Sequence, residues 1–168
     1  MTRTKRQAHV SDFTTARIPA PDDVVVRPVG ADERAAWEPL WNGYLAFYRA
    51  TLPPGASDVT WQRFHDGDEP MFLLGAYAGG KLVGIVHYLF HRSSWTVGNY
   101  CYLQDLFVAE DARGLGLGRA LIEAVYEKAR EAGASRVYWL THQDNAMARR
   151  LYDQVADNLG HIQYRKLL

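Results

Sequence analysis

The chain has 168 residues, of which 48% are hydrophobic and 23% charged, values typical of a globular domain with its own core. Lys+Arg and Asp+Glu each number 19, so the net charge gives no argument for binding nucleic acid or an anionic membrane. No apolar run approaches the roughly 18 residues that a membrane span needs, and the polar start does not resemble a signal peptide.

The first 23 residues are polar, include several basic side chains and end in a proline-containing run. They show no sustained hydrophobic period, so we expect residues 1–23 to be a flexible tail. A single domain is expected over residues 24–168. It begins with a strand at Val24 to Val26, closed by Pro28 at an edge or end of the sheet.

Two helices are expected next. We expect Asp32 to cap the first and Pro39 to kink it, or to place its true start near Trp37. We expect Ser57 or Asp58 to cap a short second helix. The first helix is indicated by apolar residues at helical spacing, namely Trp37, Leu40, Trp41, Tyr44, Leu45 and Tyr48.

A β-hairpin is indicated by residues 71–77 and 81–90 around Ala78-Gly79-Gly80. His87 and His91 share a strand face but are separated by roughly 13 Å, which is too far for one metal ion. With no cysteine pair in the sequence, we expect no metal site.

Five further elements complete the prediction. They are a central strand at 99–108, the main helix at 116–132, a fifth strand at 136–141, a fourth helix at 145–156 and a last strand at 161–166. Gly133 is expected to end the main helix. The alternation predicts an α/β fold, a mixed central sheet with helices on both faces.

A glycine-rich turn, Arg113 to Arg119, joins the central strand to the main helix. Glycines let the backbone approach a ligand, and the helix start leaves amide N–H groups free, so an anion site is predicted. A dinucleotide fingerprint would need Gly or Ala where Arg119 or Leu121 stands, and no Walker loop occurs.

The spacing of Arg113, Gly116 and Gly118 resembles the pyrophosphate loop of the GCN5-related N-acetyltransferase (GNAT) family. Residues 102–108 resemble the central strand of that family. Asn145, Ala148, Leu151 and Tyr152 resemble its second cofactor motif. The resemblance covers about residues 24–168 and is closest to the Hpa-type branch, whose members acetylate polyamines, histone tails or D-amino acids. It implies the GNAT fold.

The resemblance implies acetyl-CoA as co-substrate, without a metal. It implies that backbone groups of Leu106, Phe107 and Val108 run beside the pantetheine arm. Asn145 is expected either to cap the fourth helix or to reach the cofactor. The implied phosphate loop comprises Arg113, Gly114, Leu115, Gly116, Leu117, Gly118 and Arg119.

The resemblance makes Tyr152 the general acid facing the cofactor sulfur. Gln104 stands where the polyamine enzymes place a glutamate, and an amide cannot accept a proton. Gln104 can position the substrate while Asp105 or an ordered water takes the proton, or the amine can arrive neutral. Strand alternation would send Asp105 to the opposite face from Gln104 unless the strand carries a bulge.

Acceptor contacts are expected from the first helices and from the strands before the turn. The resemblance points to Tyr44, Phe47 and Tyr48 as acceptor-side residues. The strands and their turn add His87, Tyr88, His91 and Trp95, which could equally be core residues.

Three functions remain open. The chain could be an N-acetyltransferase that acts on a small amine by direct attack in a ternary complex. It could be a protein lysine or N-terminal acetyltransferase, or a non-catalytic acyl-CoA sensor. Retention of Tyr152 favours an enzyme, and the neutral charge favours a small acceptor over a basic histone tail.

Two expectations concern assembly and location. An unpaired sheet edge near residues 161–168 predicts a homodimer. The single cysteine, Cys101, cannot form an internal disulfide, so a reducing compartment, the cytoplasm, is expected. In an apolar strand, Cys101 is expected to be a small core residue.

Overall fold

The computed structural model describes residues 24–168, so the tail predicted over residues 1–23 lies outside the described part. The strands are β1 (Val24–Pro28), β2 (Met71–Ala78), β3 (Lys81–His91), β4 (Tyr100–Val108) and β5 (Val137–Tyr138). The helices are α1 (Arg34–Phe47), α2 (Ala56–Phe64), α3 (Leu117–Glu131) and α4 (Ala146–Val155).

The five strands form one sheet in the order β1-β2-β3-β4-β5. Strands β1 to β4 pair antiparallel with their neighbours, and β5 pairs parallel with β4. The predicted mixed sheet and the hairpin at Gly79 and Gly80 are confirmed. Strand β3 stands in the middle of the sheet, so β4, which we expected to be central, lies beside the short edge strand β5.

Helices cover both faces of the sheet, as predicted. On one face, Trp37 and Trp61 of α1 and α2 pack with Ile85 of β3. On the other face, α3 buries Leu121 and Val125 in a second core cluster. Gly133 ends α3 as predicted. It follows the C-cap residue, Ala132, and has a φ of 66°, in the left-handed region. None of the helices within residues 24–168 is long and apolar enough to cross a membrane.

Helix α1 begins differently from the prediction. Glu33 precedes its first residue, Arg34, and no side chain caps the helix, so Asp32 is not its cap. The Glu33 carboxylate instead accepts hydrogen bonds from Arg27 of β1, at 2.8 and 2.9 Å. Pro39 lies inside the helix rather than at its start. The ion pair between Arg27 and Glu33 therefore fixes this helix start against the sheet.

Helix α2 also has no side-chain cap, so neither Ser57 nor Asp58 takes that role. Gly55, which adopts the left-handed conformation with a φ of 78°, precedes the helix. Ser57 instead accepts the indole N–H of Trp41 at 3.0 Å, which ties α2 to α1. A glycine in the left-handed conformation, and not a capping side chain, therefore stands at the start of this helix.

The C-terminal strand predicted at 161–166 is absent, and the fifth strand covers only two of the six residues expected for it. Residues 157–168 form no secondary structure and are exposed throughout. Their alternating apolar side chains include Ile162 and Tyr164, which are 75% and 88% exposed. Alternation alone does not make a strand, because the backbone also needs a neighbouring strand to bond to.

Candidate active site

Two cavities lie along the C-terminal half of β4. The larger, of about 540 Å³, is lined by α1, the end of β4, the glycine-rich turn and α4. The smaller, of about 220 Å³, lies between α2 and the sheet. Asp105 lines the smaller cavity and the next residue, Leu106, lines the larger one. Neighbouring residues of β4 therefore form part of the walls of both cavities.

The larger cavity contains a helix start with free amides. Gly116, with a φ of 77°, precedes α3, no side chain caps the helix, and its first turn contains no acidic residue. The N–H of Ala120 bonds to the carbonyl of Gly116. The N–H groups of Leu117, Gly118 and Arg119 come before that bond and lack helical partners. With the helix dipole, they form a site for an anion.

The glycines of this turn have two different structural roles. Gly114 and Gly116 have φ values of 83° and 77°, and a Cβ on either would meet nothing within 4 Å. They serve the backbone conformation. A Cβ at Gly118 would lie 3.2 Å from Cδ2 of Leu151 in α4. Glycine at 118 therefore lets α3 and α4 approach closely.

Three arginines, Arg113, Arg119 and Arg150, line the larger cavity and add positive charge to it. Arg113 donates to the carbonyl of Val108 at 3.3 Å, which anchors the turn to β4. Arg119 donates to Gln154 of α4 at 2.6 Å. The charge and the free amides together suit a phosphate or pyrophosphate group.

One edge of β4 is open along this cavity. Strand β5 pairs only with Cys101 and Tyr102. The remainder of β4, which includes Leu106, Phe107 and Val108, has no strand partner on that side within the described residues. Its backbone groups can bond to an extended ligand lying alongside.

Tyr152 projects from α4 into the larger cavity. Its ring packs edge-on against Trp139, with 5.3 Å between ring centroids. Burial, with a smaller contribution from Tyr48, raises the pKa of Tyr152 to about 12. The phenol therefore keeps its proton at neutral pH and can donate it.

Asn145 precedes α4, and its side-chain oxygen accepts the N–H of Ala148 at 3.4 Å. Its amide group donates to the hydroxyl of Thr141 at 3.2 Å. The residue therefore caps the helix while it also lines the larger cavity. Both functions left open by the sequence are compatible with this position.

A β-bulge in β4 changes where two predicted catalytic side chains lie. His87 pairs with Asp105 and Tyr88 pairs with Leu103, so Gln104 has no partner across the strand. The extra residue interrupts the alternation of faces. Gln104 and Asp105 consequently both line the smaller cavity, although they are adjacent. The bulge meets the condition under which both can serve one site.

Asp105 is held by a chain of buried hydrogen bonds. Trp37 donates its indole N–H to Nε2 of His87 at 3.0 Å. An indole nitrogen is only a donor, so Nε2 accepts and the proton of the neutral ring lies on Nδ1. Nδ1 donates to Oδ2 of Asp105 at 2.9 Å. His87, which is 2% exposed, therefore orients Asp105 and has little surface to offer a substrate.

Tyr44 lines the larger cavity and lies close enough to Asp105 to feel the charge of its carboxylate. Burial first, and then the Asp105 carboxylate, raise the pKa of Tyr44 above its ordinary value, so its hydroxyl stays protonated. Phe47 and Tyr48 also line the larger cavity. These three aromatic residues thus lie on the predicted cofactor side of β4.

Three of the remaining predicted residues, His91, Trp95 and Leu115, line neither cavity. His91 bonds to the hydroxyl of Tyr138 at 2.9 Å, and Trp95 is 82% exposed. Tyr88 lines the smaller cavity, whereas Leu115 packs into the core on the α3 face.

Some lining residues were missed by the sequence reasoning. In α2, Ala56, Thr60 and Phe64 line the smaller cavity at a spacing of four residues, a helical signal that could have identified them. In α4, Met147 and Arg150 line the larger cavity, and their proximity to Tyr152 along the helix was the available signal.

Neither metal nor thiol chemistry is indicated within the described residues. No group of three or more His, Cys, Asp or Glu side chains there could hold a metal ion. Cys101 is fully buried in β4, and burial raises its pKa to about 12. A thiol with this pKa is not a nucleophile at neutral pH.

Comparisons with known proteins agree on one family. A family model described as the Acetyltransferase (GNAT) family matches residues 37–156. The D-amino-acid N-acetyltransferase HPA3 of Saccharomyces cerevisiae is 38% identical over 149 residues, which cover 86% of this chain and 91% of that protein. The thialysine N-epsilon-acetyltransferase of Caenorhabditis elegans is 34% identical over 48% of this chain and 49% of its own.

A solved structure supports the same fold. AAC(6')-Iy in complex with the bisubstrate analogue CoA-S-monomethyl-acetylneamine superposes with a TM-score of 0.74. The match covers 86% of this chain and 99% of that chain. Because the two sequences are 17% identical, this likeness establishes the fold alone.

Proposed function

The chain belongs to the acetyltransferase (GNAT) family, and from this we propose that it transfers an acetyl group from acetyl-CoA to a primary amine of a small molecule by direct attack in a ternary complex. The observation that carries this proposal is the set of free amides at the start of α3 in the wall of the larger cavity.

The larger cavity has the chemistry that coenzyme A requires. The N–H groups of Leu117, Gly118 and Arg119, with the arginines around them, would hold the pyrophosphate. The open edge of β4 at Leu106 and Val108 would bond to the amides of the pantetheine arm. When bound, acetyl-CoA supplies a thioester carbon open to attack by an amine.

The proton transfers are assigned to Asp105 and Tyr152. The bulge brings Asp105 to the smaller cavity, where it would bind the incoming ammonium and take its first proton. Gln104 would hold the acceptor, because an amide cannot accept that proton. An N–H on the open edge of β4 would polarise the carbonyl. Tyr152 would donate a proton to the departing sulfur, since its pKa keeps it protonated.

The acceptor is proposed to be a small molecule. The names of the relatives point to D-amino acids, thialysine and, for an Arabidopsis thaliana relative, L-ornithine. These compounds share an aliphatic primary amine. The smaller cavity, of about 220 Å³, has room for part of such a molecule.

The direct test is thiol release from acetyl-CoA across a panel of primary amines, amino acids of both hands, polyamines and a lysine peptide. We expect turnover with at least one small amine and little with the peptide. Binding of coenzyme A without turnover of any amine would contradict the enzymatic proposal and favour a sensor.

Coenzyme A binding can be tested separately with Gly116→Ala. An alanine there would sit at a φ of 77°, which strains the backbone by about 1–2 kcal/mol and displaces the amides. Gly133→Ala is a matched control, because Gly133 has a φ of 66°, and a Cβ there also meets nothing within 4 Å. Calorimetry should show weaker binding only in the first variant. Equal affinities in both would remove the phosphate site from this loop.

We further propose a homodimer that works in the cytoplasm. The exposed apolar side chains of residues 157–168 and the short edge strand β5 support association. The buried thiol of Cys101 is compatible with a reducing compartment. Sedimentation at tens of micromolar protein tests the dimer, and a monomer there would contradict it.

A further inference from the structure

The smaller cavity has one charged group and mostly apolar walls. Asp105 is the only Asp, Glu, Lys or Arg among its lining residues, all of which lie in the described part of the chain. His87 is the neutral donor to Asp105. The apolar walls are formed by Trp41, Leu52, Ala56, Phe64, Met71 and Leu89.

A buried carboxylate without a cation beside it favours a cationic ligand. Asp105 is 9% exposed, and the hydrogen bond from His87 supplies a donor but no positive charge. An ammonium group would provide that charge. A second carboxylate near Asp105 would instead be repelled and would find no Lys or Arg in the lining to pair with.

The size of the cavity limits the part of the ligand that lies inside it. A cavity of about 150 Å³ holds one benzene molecule. At about 220 Å³, this cavity has room for such a ring and a short aminoalkyl arm. A polyamine chain inside the cavity would place further ammonium groups against its apolar walls, which is costly without partner charges.

The geometry points to a specific acceptor class, primary amines on a compact apolar group, with no carboxylate beside the amine. This inference rests on the proposed function, and it places the apolar group against α2 with the amine at Asp105. The ammonium first loses a proton to Asp105, which later releases it to solvent as the net proton of the reaction. Its nitrogen then forms the C–N bond while the C–S bond breaks. The sulfur takes the proton of Tyr152. The second nitrogen proton passes through solvent and reprotonates Tyr152.

A pair of substrates tests the inference on the wild-type enzyme. Phenethylamine and D-phenylalanine differ only by the carboxylate beside the amine. We expect kcat/KM for phenethylamine to exceed that for D-phenylalanine by about tenfold or more, and to exceed that for spermidine similarly. A value for D-phenylalanine or spermidine equal to or above that for phenethylamine overturns the inference.

The outcome separates this inference from the proposed function. If no amine in the panel releases thiol, the proposed function fails, and the inference fails with it. If D-phenylalanine or spermidine is acetylated as well as phenethylamine, the proposed function stands and only the acceptor class is wrong.

A cavity-filling variant tests the location. Ala56→Leu adds bulk to the wall formed by α2 and should lower kcat/KM for phenethylamine by about tenfold, while ethylamine is little affected. Val59→Leu is the matched control, because Val59 lies on the same helix, is 45% exposed and does not line the cavity. If Ala56→Leu fails to fold, Thr60→Leu fills the same cavity. Unchanged phenethylamine turnover in the folded filling variant overturns the assignment.

Discussion

Removing the hydroxyl of Tyr152 tests the proton donor most directly. Tyr152→Phe keeps the ring that packs against Trp139, so the fold should be unaffected. With a pKa of about 12, the phenol is a weaker acid than a free thiol, whose pKa is roughly 8.5. Proton transfer from Tyr152 to the departing sulfur is therefore uphill, so the rate gain from this donor should be modest.

The expected effect lies at the low end of the range for a general acid. We predict that kcat falls by about 100-fold, or about 2.7 kcal/mol of transition-state stabilisation. The KM for acetyl-CoA should change little, because the interaction strengthens only as the sulfur leaves. Steady-state kinetics of thiol release measures both quantities.

A control and a pH profile complete the test. In Tyr126→Phe the lost hydroxyl donates to the carbonyl of Val155 at 2.8 Å, outside both cavities. That variant should lose about 1 kcal/mol of stability and retain kcat. Because the pKa of Tyr152 is raised to about 12, its ionisation should cause no loss of kcat below about pH 10. A loss between about pH 8 and 10 that disappears in Tyr152→Phe would refute the reasoning.

Three further substitutions probe the fold around the site. The hydrogen bond from Arg27, and then that from Gly30, lower the pKa of Glu33 to about 2. Glu33→Gln should therefore lower the free energy of unfolding by about 1 kcal/mol near neutral pH. This is less than the pKa shift implies, because solvent screens the ion pair. This stability is present above the unfolded-state pKa and is lost as pH falls towards 2, so urea denaturation should show the two proteins converging in acid. A Cβ at Gly43 would lie 2.7 Å from Cζ of Phe107. Gly43→Ala should therefore lower the free energy of unfolding by about 1–3 kcal/mol and weaken coenzyme A binding in calorimetry. Unchanged binding would contradict the predicted effect on coenzyme A. Trp37→Phe leaves Nε2 of His87 without its donor. It should therefore lower the free energy of unfolding by about 1–3 kcal/mol and raise the KM for the acceptor. Lost stability with an unchanged KM would show that Trp37 contributes only to packing.

The sequence was most informative where local rules decide the structure. The helical spacing of Leu117, Leu121 and Val125 predicted α3, and Gly133 marked its end. The glycine-rich turn predicted a helix start with free amides, because backbone conformation there depends on the glycines themselves. These elements need little information from distant parts of the chain.

Other features depend on pairing between distant segments. The bulge at Gln104 depends on the register between β3 and β4. The sequence of β4 alone does not predict it. Glu33 was missed at the start of α1 because its role comes from Arg27 on another element. The alternating apolar residues around Ile162 predicted a strand, but this segment pairs with no strand of the described sheet.

The division into two cavities has a consequence for how this enzyme can diversify. Among the described helices and strands, the two cavities share only α1 and β4. Ala56 and Thr60 can therefore be exchanged without altering a group that contacts the other ligand. Libraries varied at these two positions should yield enzymes with new acceptor preferences and an unchanged acetyl-CoA site. If the two cavities bind the acceptor and acetyl-CoA as proposed, selectivity and acetyl supply are separable traits in this chain.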